Sequence, residues 1–275
     1  MKYIPLIAIV WAFAAGELAF NTKIAPSAPS VKPTTHRWVD LTHDFAPNMI
    51  HWPTSAGFEI HSISDGVNHR GWYTNTNSIS LPEHIGTHID AGIHFAENGS
   101  TVEEISLDDL IGPAIVIDVS AKVEADRDYQ ISTADIIAWE SEHGKIADRP
   151  IVLFNTGFHL AWPNARAYLG TARRGRRGSS EMRFPGLHPD AARFLIEERG
   201  LRAIGIDTPS IDHAKTSDFM AHRIICGANV PIFENLASLD QLPATGLEII
   251  ALPMKIRGGS GAPLRIVAKV SSRAS

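Results

Sequence analysis

The chain has 275 residues, 44% of them hydrophobic, 20% charged and 8% aromatic, a globular composition that excludes collagen-like, coiled-coil and disordered classes. Its 25 Lys and Arg stand against 30 Asp and Glu, a net charge of −5, so nothing feeds a phosphate backbone and no nucleic-acid partner is expected. The single cysteine, Cys226, excludes an intramolecular disulfide and a cysteine-based zinc ribbon, whereas 13 histidines are an unusual number.

Lys2 is followed by an apolar run from Tyr3 to Ala15, shorter than the roughly 20 residues that span a bilayer. Small residues follow it, with Ala14-Ala15-Gly16 a suitable cleavage site. Residues 1–16 therefore read as a secretory signal peptide. The mature protein is expected to be secreted or periplasmic, with no membrane attachment after cleavage. Pro26, Pro29 and Pro33 mark residues 17–37 as a linker, and the folded domain is expected over residues 38–271.

From Trp38 to Leu81 the pattern is strand-like, with Phe58, Ile60 and Ser62 alternating against Glu59, His61 and Ile63. Ala114 to Ile117 is a short apolar strand, and Ser132 with Asp135 caps a helix that ends near Gly144. Ile151 to Phe154 is a second apolar strand. The basic run Arg173-Arg174-Gly175-Arg176-Arg177 reads as a solvated loop. Pro189 opens another helix, whose buried face is Ala192, Leu195 and Ile196 and which Gly200 closes. Ala203 to Ile206 is a third strand, so the middle of the chain is a βαβαβ layer with right-handed crossovers. Leu247 to Leu252 and Leu264 to Val270 flank Gly258-Gly259-Ser260-Gly261; those glycines join two strands instead of opening a helix, which speaks against a phosphate cradle. The whole predicts a single α/β domain with β-rich ends.

The chemistry concentrates in Glu83-His84-Ile85-Gly86-Thr87-His88-Ile89-Asp90-Ala91-Gly92-Ile93-His94, where three histidines and an aspartate fall within eleven residues. Imidazole and carboxylate are the usual ligands of Zn²⁺ and Mn²⁺. One helical or turn-like loop would let His84 and His88 point the same way, and Asp90 would close a face of three ligands. Trp52, Trp72 and Phe95 are candidates to line an aromatic substrate pocket, core packing being the alternative for each. Thr87 reads as a structural hydroxyl, Asp207 and Asp212 as loop-fixing carboxylates, and Cys226 as a buried apolar-type residue. Glu83 either orients a ligand histidine or is a plain surface carboxylate.

The segment resembles the signature His-x-Gly-Thr-His-x-Asp-x-Pro-x-His of the metal-dependent cyclase superfamily, which includes bacterial kynurenine formamidases (arylformamidases) and isatin hydrolases. His84, Gly86, Thr87, His88, Asp90 and His94 all match it. Asp40-Leu41-Thr42 with Trp52-Pro53, Gly205 to Asp212, His222 with Glu234-Asn235-Leu236, and Pro253 to Pro263 resemble further family segments, from about Trp38 to Val270. The resemblance implies a mixed β-sheet core flanked by helices, the swivelling β/β/α fold. It implies one or two divalent ions per chain, Zn²⁺ or Mn²⁺: the first on His84, His88 and Asp90, the second on Asp90, His222 and Glu234. It makes His94 the proton shuttle, the chain a homodimer, and the reaction hydrolysis of an amide or formamide in a small aromatic molecule, as in N-formylkynurenine to kynurenine and formate. Gly92, where the family has proline, implies a looser loop before His94. Three alternatives stand beside this reading: opening of a cyclic amide such as isatin, a metal-dependent lyase or dehydratase, and an exported metal- or ligand-binding protein without turnover. A binding module needs no proton shuttle, and the chain retains His94. On the signal-peptide reading, mass spectrometry of the native protein should find a new N-terminus between about Ala15 and Ser27; an intact Met1 would sink it.

Overall fold

The computed structural model describes residues 36–146 and 149–271. The expected signal peptide, and the linker as far as residue 35, lie outside the described residues. Among those described, no helix is long and apolar enough to cross a membrane. Strands β1 (His36–Asp40), β2 (Glu59–Val67), β3 (Tyr73–Ser80) and β4 (His88–Asp90) precede helix α1 (Leu107–Leu110). The middle layer is β5 (Ile111–Asp118), α2 (Ser120–Ala125), β6 (Gln130–Ile131), α3 (Thr133–His143) and β7 (Ile151–Asn155). It continues through α4 (Ala165–Leu169), α5 (Gly175–Glu181), β8 (Gly186–Leu187), α6 (Pro189–Arg199), β9 (Ala203–Ile206), α7 (Met220–Gly227) and β10 (Ile232–Glu234). Two long strands, β11 (Leu247–Pro253) and β12 (Gly261–Ser271), close the chain.

The main sheet runs β1-β12-β11-β5-β7-β9-β10-β4, and β4 also pairs with β12, which closes seven of its strands into a mixed barrel. The apolar runs predicted in the middle are its parallel staves, β5 with β7 and β7 with β9. They are apolar throughout because both faces are covered. Ile151 and Leu153 point into one cluster with Phe233, Ile249 and Ile266 inside the barrel, while Val152 and Phe154 pack outwards with residues of α3, α6 and α7. Ser132 and Asp135 form the capping box that starts α3. Pro189 sits in the first turn of α6, and Gly200 ends it in a left-handed conformation.

Closure depends on one missing Cβ. β12 splits its pairing, with Gly261 to Pro263 on β4 and Leu264 to Val270 on β11. A Cβ at Gly261 would lie 2.5 Å from the Ile89 carbonyl and from the His84 ring, so only glycine lets the strands meet there.

Three sequence expectations change. Ordered strand reaches into the expected linker, because His36 and Arg37 pair with Ser271 and Val270 and belong to β1. Arg173 to Arg177 is solvated as expected, its arginines being exposed, but it is not all loop. Its second half starts α5, Gly175 N donates to Pro53 O at 2.8 Å, and a Cβ on Gly178 would strike Arg173 O at 2.0 Å. Trp72 does not line the cavity at the histidine cluster; it lies just before β3 of the β2–β3 hairpin and is 52% exposed. An aromatic residue in an alternating run marks a strand but does not say which surface the strand serves.

Candidate metal centre

Strand register assembles the site. His88 and Asp90 are two apart on β4 and share a face, while Ile89 between them fills the barrel interior. β4 runs antiparallel to β10 with His88 directly opposite Glu234, so the second carboxylate lands on the same face. His222 reaches the same point from α7, and His84 from the turn before β4. The link between His84 and His88 is thus a loop and not a helical turn. Gly86 makes it possible: its φ is +59°, and a Cβ there would lie 2.4 Å from Met49 Cε.

The distances are those of one cluster. Asp90 Oδ1 lies 2.6 Å from His84 Nδ1 and 3.3 Å from His88 Nε2, and Asp90 Oδ2 lies 3.2 Å from His222 Nε2. Glu234 reaches His222 Nε2 at 3.2 Å and His88 Nε2 at 3.5 Å. The histidine–aspartate sets His84/His88/Asp90 and Asp90/His94/His222 each have ligand atoms within 4.8 Å of one another. His94 therefore stands closer to the ligand set than a remote shuttle would, with its ring stacked on His84 at 3.9 Å.

Outer hydrogen bonds decide which atoms face inwards. His88 Nδ1 donates to Gly86 O at 2.8 Å, and His222 Nδ1 donates to Asp212 Oδ2 at 2.6 Å, so both Nε2 atoms turn to the carboxylates. Glu83 Oε2 accepts the Ser260 hydroxyl proton at 2.7 Å, which leaves Ser260 Oγ to accept from His84 Nε2 at 2.9 Å. His84 Nδ1 then faces Asp90. Three inner imidazole nitrogens and two carboxylates converge; protons on those nitrogens serve the carboxylates when no ion is bound, and an ion takes their lone pairs instead. That is a cation site by its chemistry, and it fits a divalent metal ion.

The electrostatics agree. Burial opposes a charged His88, but the hydrogen bond and charge of Asp90, with Glu234, outweigh it and raise its pKa to about 9. For Asp90 burial favours the neutral acid, yet hydrogen bonds from His222, His84 and His88 hold its carboxyl well below the usual range. The same negative field that draws protons onto these imidazoles attracts a cation in their place. His94 differs: burial lowers its pKa to about 4, only partly opposed by Asp90. It is neutral at pH 7.

A cavity of about 350 Å³ opens over this cluster. Trp52, Phe95, Ile50, Ile85, Leu169 and Phe219 give it apolar walls, as an aromatic ligand requires. Trp52 and Phe95 both line this cavity. Thr87 is structural: its hydroxyl donates to Asn235 O at 2.7 Å and accepts from His43 N at 2.9 Å. Asp207 fixes a loop, bonding Thr156 N and Oγ1 at 2.9 and 2.6 Å. Asp212 does more than that, since it also binds the Ala221 and His222 amides at the start of α7. Sequence reasoning missed Ser260 and Phe219, which have no motif of their own. It also expected a loose loop at Gly92. Instead a Cβ at Gly92 would meet Asn229 Oδ1 at 2.2 Å, and that oxygen accepts from Ser100 N at 2.8 Å, pinning the loop that carries His94. Asp212→Asn should weaken divalent-metal affinity about 10- to 100-fold, because His222 loses its anchor. Chelator competition measures this, and unchanged affinity would remove Asp212 from the support of the site.

Comparison with known proteins places this geometry. The Cyclase family model, described as "Putative cyclase", matches residues 39–213. An isatin hydrolase of Roseibium aggregatum is 34% identical over 84% of this chain and 86% of its own length. A kynurenine formamidase of Bacillus thuringiensis subsp. konkukian is 28% identical over 86% of this chain and 98% of its own. The structure of isatin hydrolase A from Labrenzia aggregata bound to benzyl benzoate superposes with a TM-score of 0.77 at 36% identity, covering 86% of this chain and 94% of that one. The chain belongs to the Cyclase family, on whose fold its convergent histidines and carboxylates are built.

Proposed function

We propose that the protein is a metal-dependent hydrolase that cleaves an amide or formamide bond in a small aromatic substrate, an arylformamidase-type reaction. One observation carries the proposal: a buried cluster of histidines and carboxylates faces an aromatic-walled cavity, with a neutral histidine at its edge. Zn²⁺ or Mn²⁺ is the proposed ion, held by His84, His88 and Asp90, with a second position on Asp90, His222 and Glu234. The division of Asp90 between His84 and His88 on Oδ1 and His222 on Oδ2 supports a shared carboxylate. Such an ion polarises a carbonyl and lowers the pKa of water from about 15.7 towards about 7.

The chain's own residues do the rest. His94, neutral and stacked on His84, accepts a proton from the attacking water and returns it to the leaving nitrogen. Trp52 and Phe95 hold the aromatic ring, and their bulk excludes water. No side-chain nucleophile is required. Cys226 is buried and its thiol is pushed up to about 12, so no thiolate exists at neutral pH. The second reading is a cyclic amide of the isatin type, supported by the 34% identity to an isatin hydrolase.

Metal-reconstituted protein is expected to hydrolyse N-formylkynurenine or isatin in preference to simple lactones; turnover of none of them would end the proposal. His94→Ala should lower kcat roughly 10²- to 10⁴-fold while metal content by elemental analysis stays at the wild-type value. A variant that purifies without metal would make His94 a ligand. Glu234→Gln is expected to bring the metal content down towards one ion per chain.

The proposal includes export, on the N-terminal pattern, and a homodimer. The β2–β3 hairpin supports pairing, since it exposes Ile60, Ile63, Val67, Trp72, Tyr73 and Ile79, an apolar surface of the kind that marks a protein interface. Light scattering at micromolar concentration should give the dimer mass, and a monomer mass would refute it.

A further inference from the structure

Asn235 follows Glu234 directly and is held in the left-handed region at φ +54°, where asparagine is one of the few residues other than glycine that the backbone tolerates. It is buried and lines the cavity over the cluster. Its main chain is fixed on both sides: its N–H donates to Thr208 O at 2.9 Å, and its carbonyl accepts the Thr87 hydroxyl proton at 2.7 Å. Its side chain takes the preceding residue of the same loop, with Nδ2 donating to Gly86 O at 2.8 Å. One asparagine thus grips two consecutive residues of the segment between His84 and His88.

The grip falls on the softest point of that segment. Gly86, with no Cβ and a φ of +59°, is its least restrained residue. Yet its carbonyl is the group to which His88 Nδ1 donates, at 2.8 Å. The two lone pairs of Gly86 O are therefore divided between His88 and Asn235. Only the NH₂ end of an amide can face a carbonyl, so Gly86 O also decides which way the Asn235 amide points. Oδ1 is left to face the Tyr168 hydroxyl at 2.8 Å. Tyr168 is fully buried on α4, its ring perpendicular to that of Trp162 at 5.3 Å. Burial, with the charges of Asp207 and Glu234, pushes its pKa well above the usual range, so the phenol keeps its proton and donates. The Asp207 carbonyl shares that proton at 2.9 Å. The Asp207 carboxylate is in turn bonded by Thr156 and His159, which fixes the hydroxyl against the end of the parallel strands.

We propose that Asn235 and Tyr168 are positioning residues for His88. Tyr168 orients the Asn235 amide, the amide holds the Gly86 carbonyl, and the carbonyl holds Nδ1 so that Nε2 turns to Asp90 and Glu234. Both act through the loop that bears the ligand. This inference rests on the metal-site reading and extends it beyond the ligands. Mere satisfaction of a buried carbonyl would give the same contacts but leave His88 indifferent to them.

The test combines Asn235→Gly, which keeps the left-handed backbone and removes the amide, with Tyr168→Phe, which removes only the hydroxyl, and the double variant. Ile136→Ala, a core truncation on α3 away from the cavity wall, is the control for lost stability. Zn²⁺ affinity by chelator competition should fall about tenfold or more for Asn235→Gly, as for other partners that orient a ligand. It should fall less for Tyr168→Phe, and Ile136→Ala should keep the wild-type value at a lower Tm. Because Tyr168 acts through Asn235, the double variant should match Asn235→Gly within about twofold; additive losses would remove Tyr168 from the device. Nitrogen-15 NMR of histidine-labelled, metal-free protein gives a readout that needs no ion. There the His88 Nδ1 proton should exchange with water at least about tenfold faster in Asn235→Gly than in the wild type. If the wild type takes up no zinc but Asn235→Gly still speeds that exchange, the metal reading falls and the positioning role stands. If zinc binds equally tightly to the wild type and Asn235→Gly, the positioning role is overturned and the metal reading stands. Unchanged exchange at Nδ1 overturns the positioning role whether or not zinc binds.

Discussion

The pairing of β4 between β10 and β12 is the constraint on which the site depends. Three residues, His88, Ile89 and Asp90, are all buried and are hydrogen-bonded on both sides. Ile89 is locked among Phe233 and Ala262 in the barrel interior. A slip of one residue would turn Ile89 outwards and drive an imidazole and a carboxylate into that apolar interior. The apolar contacts of one side chain thus fix the direction of two polar ones. The same register brings Glu234 opposite His88 without any contribution from side-chain affinity.

That placement creates an electrostatic problem and states its remedy. Asp90 and Glu234 are both about 3% exposed or less and share two imidazole neighbours. Two carboxylates this close and this buried repel each other and lose hydration, so positive charge must lie between them. Ile211 N donates to Glu234 Oε1 at 2.7 Å, which relieves one oxygen only. The imidazoles can supply charge by protonation, but their outer nitrogens are tied to Gly86 O, Asp212 and Ser260. Anchored in this way, the inner nitrogens are presented as lone pairs to a metal ion.

How much of this the sequence disclosed follows from distance along the chain. His84, His88, Asp90 and His94 are close neighbours, so their spacing alone announces metal chemistry. The parallel staves were legible because burial on both faces makes continuous apolar runs of Ile151 to Phe154 and Ala203 to Ile206. His222 and Glu234 carry no local signal, and only the resemblance joined them to the cluster. Barrel closure was not legible. It depends on Gly261 lacking a Cβ against Ile89 and His84, a contact between residues more than 170 positions apart. Asp212 was misjudged in degree for the same reason: a carboxylate in a loop looks alike whether it fixes the loop or a ligand.

Helix α7 unites the parts that the motif leaves separate. It starts after Phe219, which walls the cavity, and Asp212 holds its first amides. His222 follows in the first turn, so the amide bonds that place the helix also place its imidazole. At its far end Asn229, in a left-handed conformation at φ +54°, projects Oδ1 over Gly92. A Cβ at position 92 would displace that oxygen from its bond to Ser100 N, and glycine admits it. The chain's departure from the family signature is therefore matched by a residue about 137 positions away, and the match ties the His94 loop to the helix that bears His222. His222, the cavity wall at Phe219 and the loop that carries His94 are thus all tied to one helix. Displacing α7 by a fraction of an ångström would disturb all three together, which is the geometric coupling a reaction needs when water, metal and base must meet at one atom.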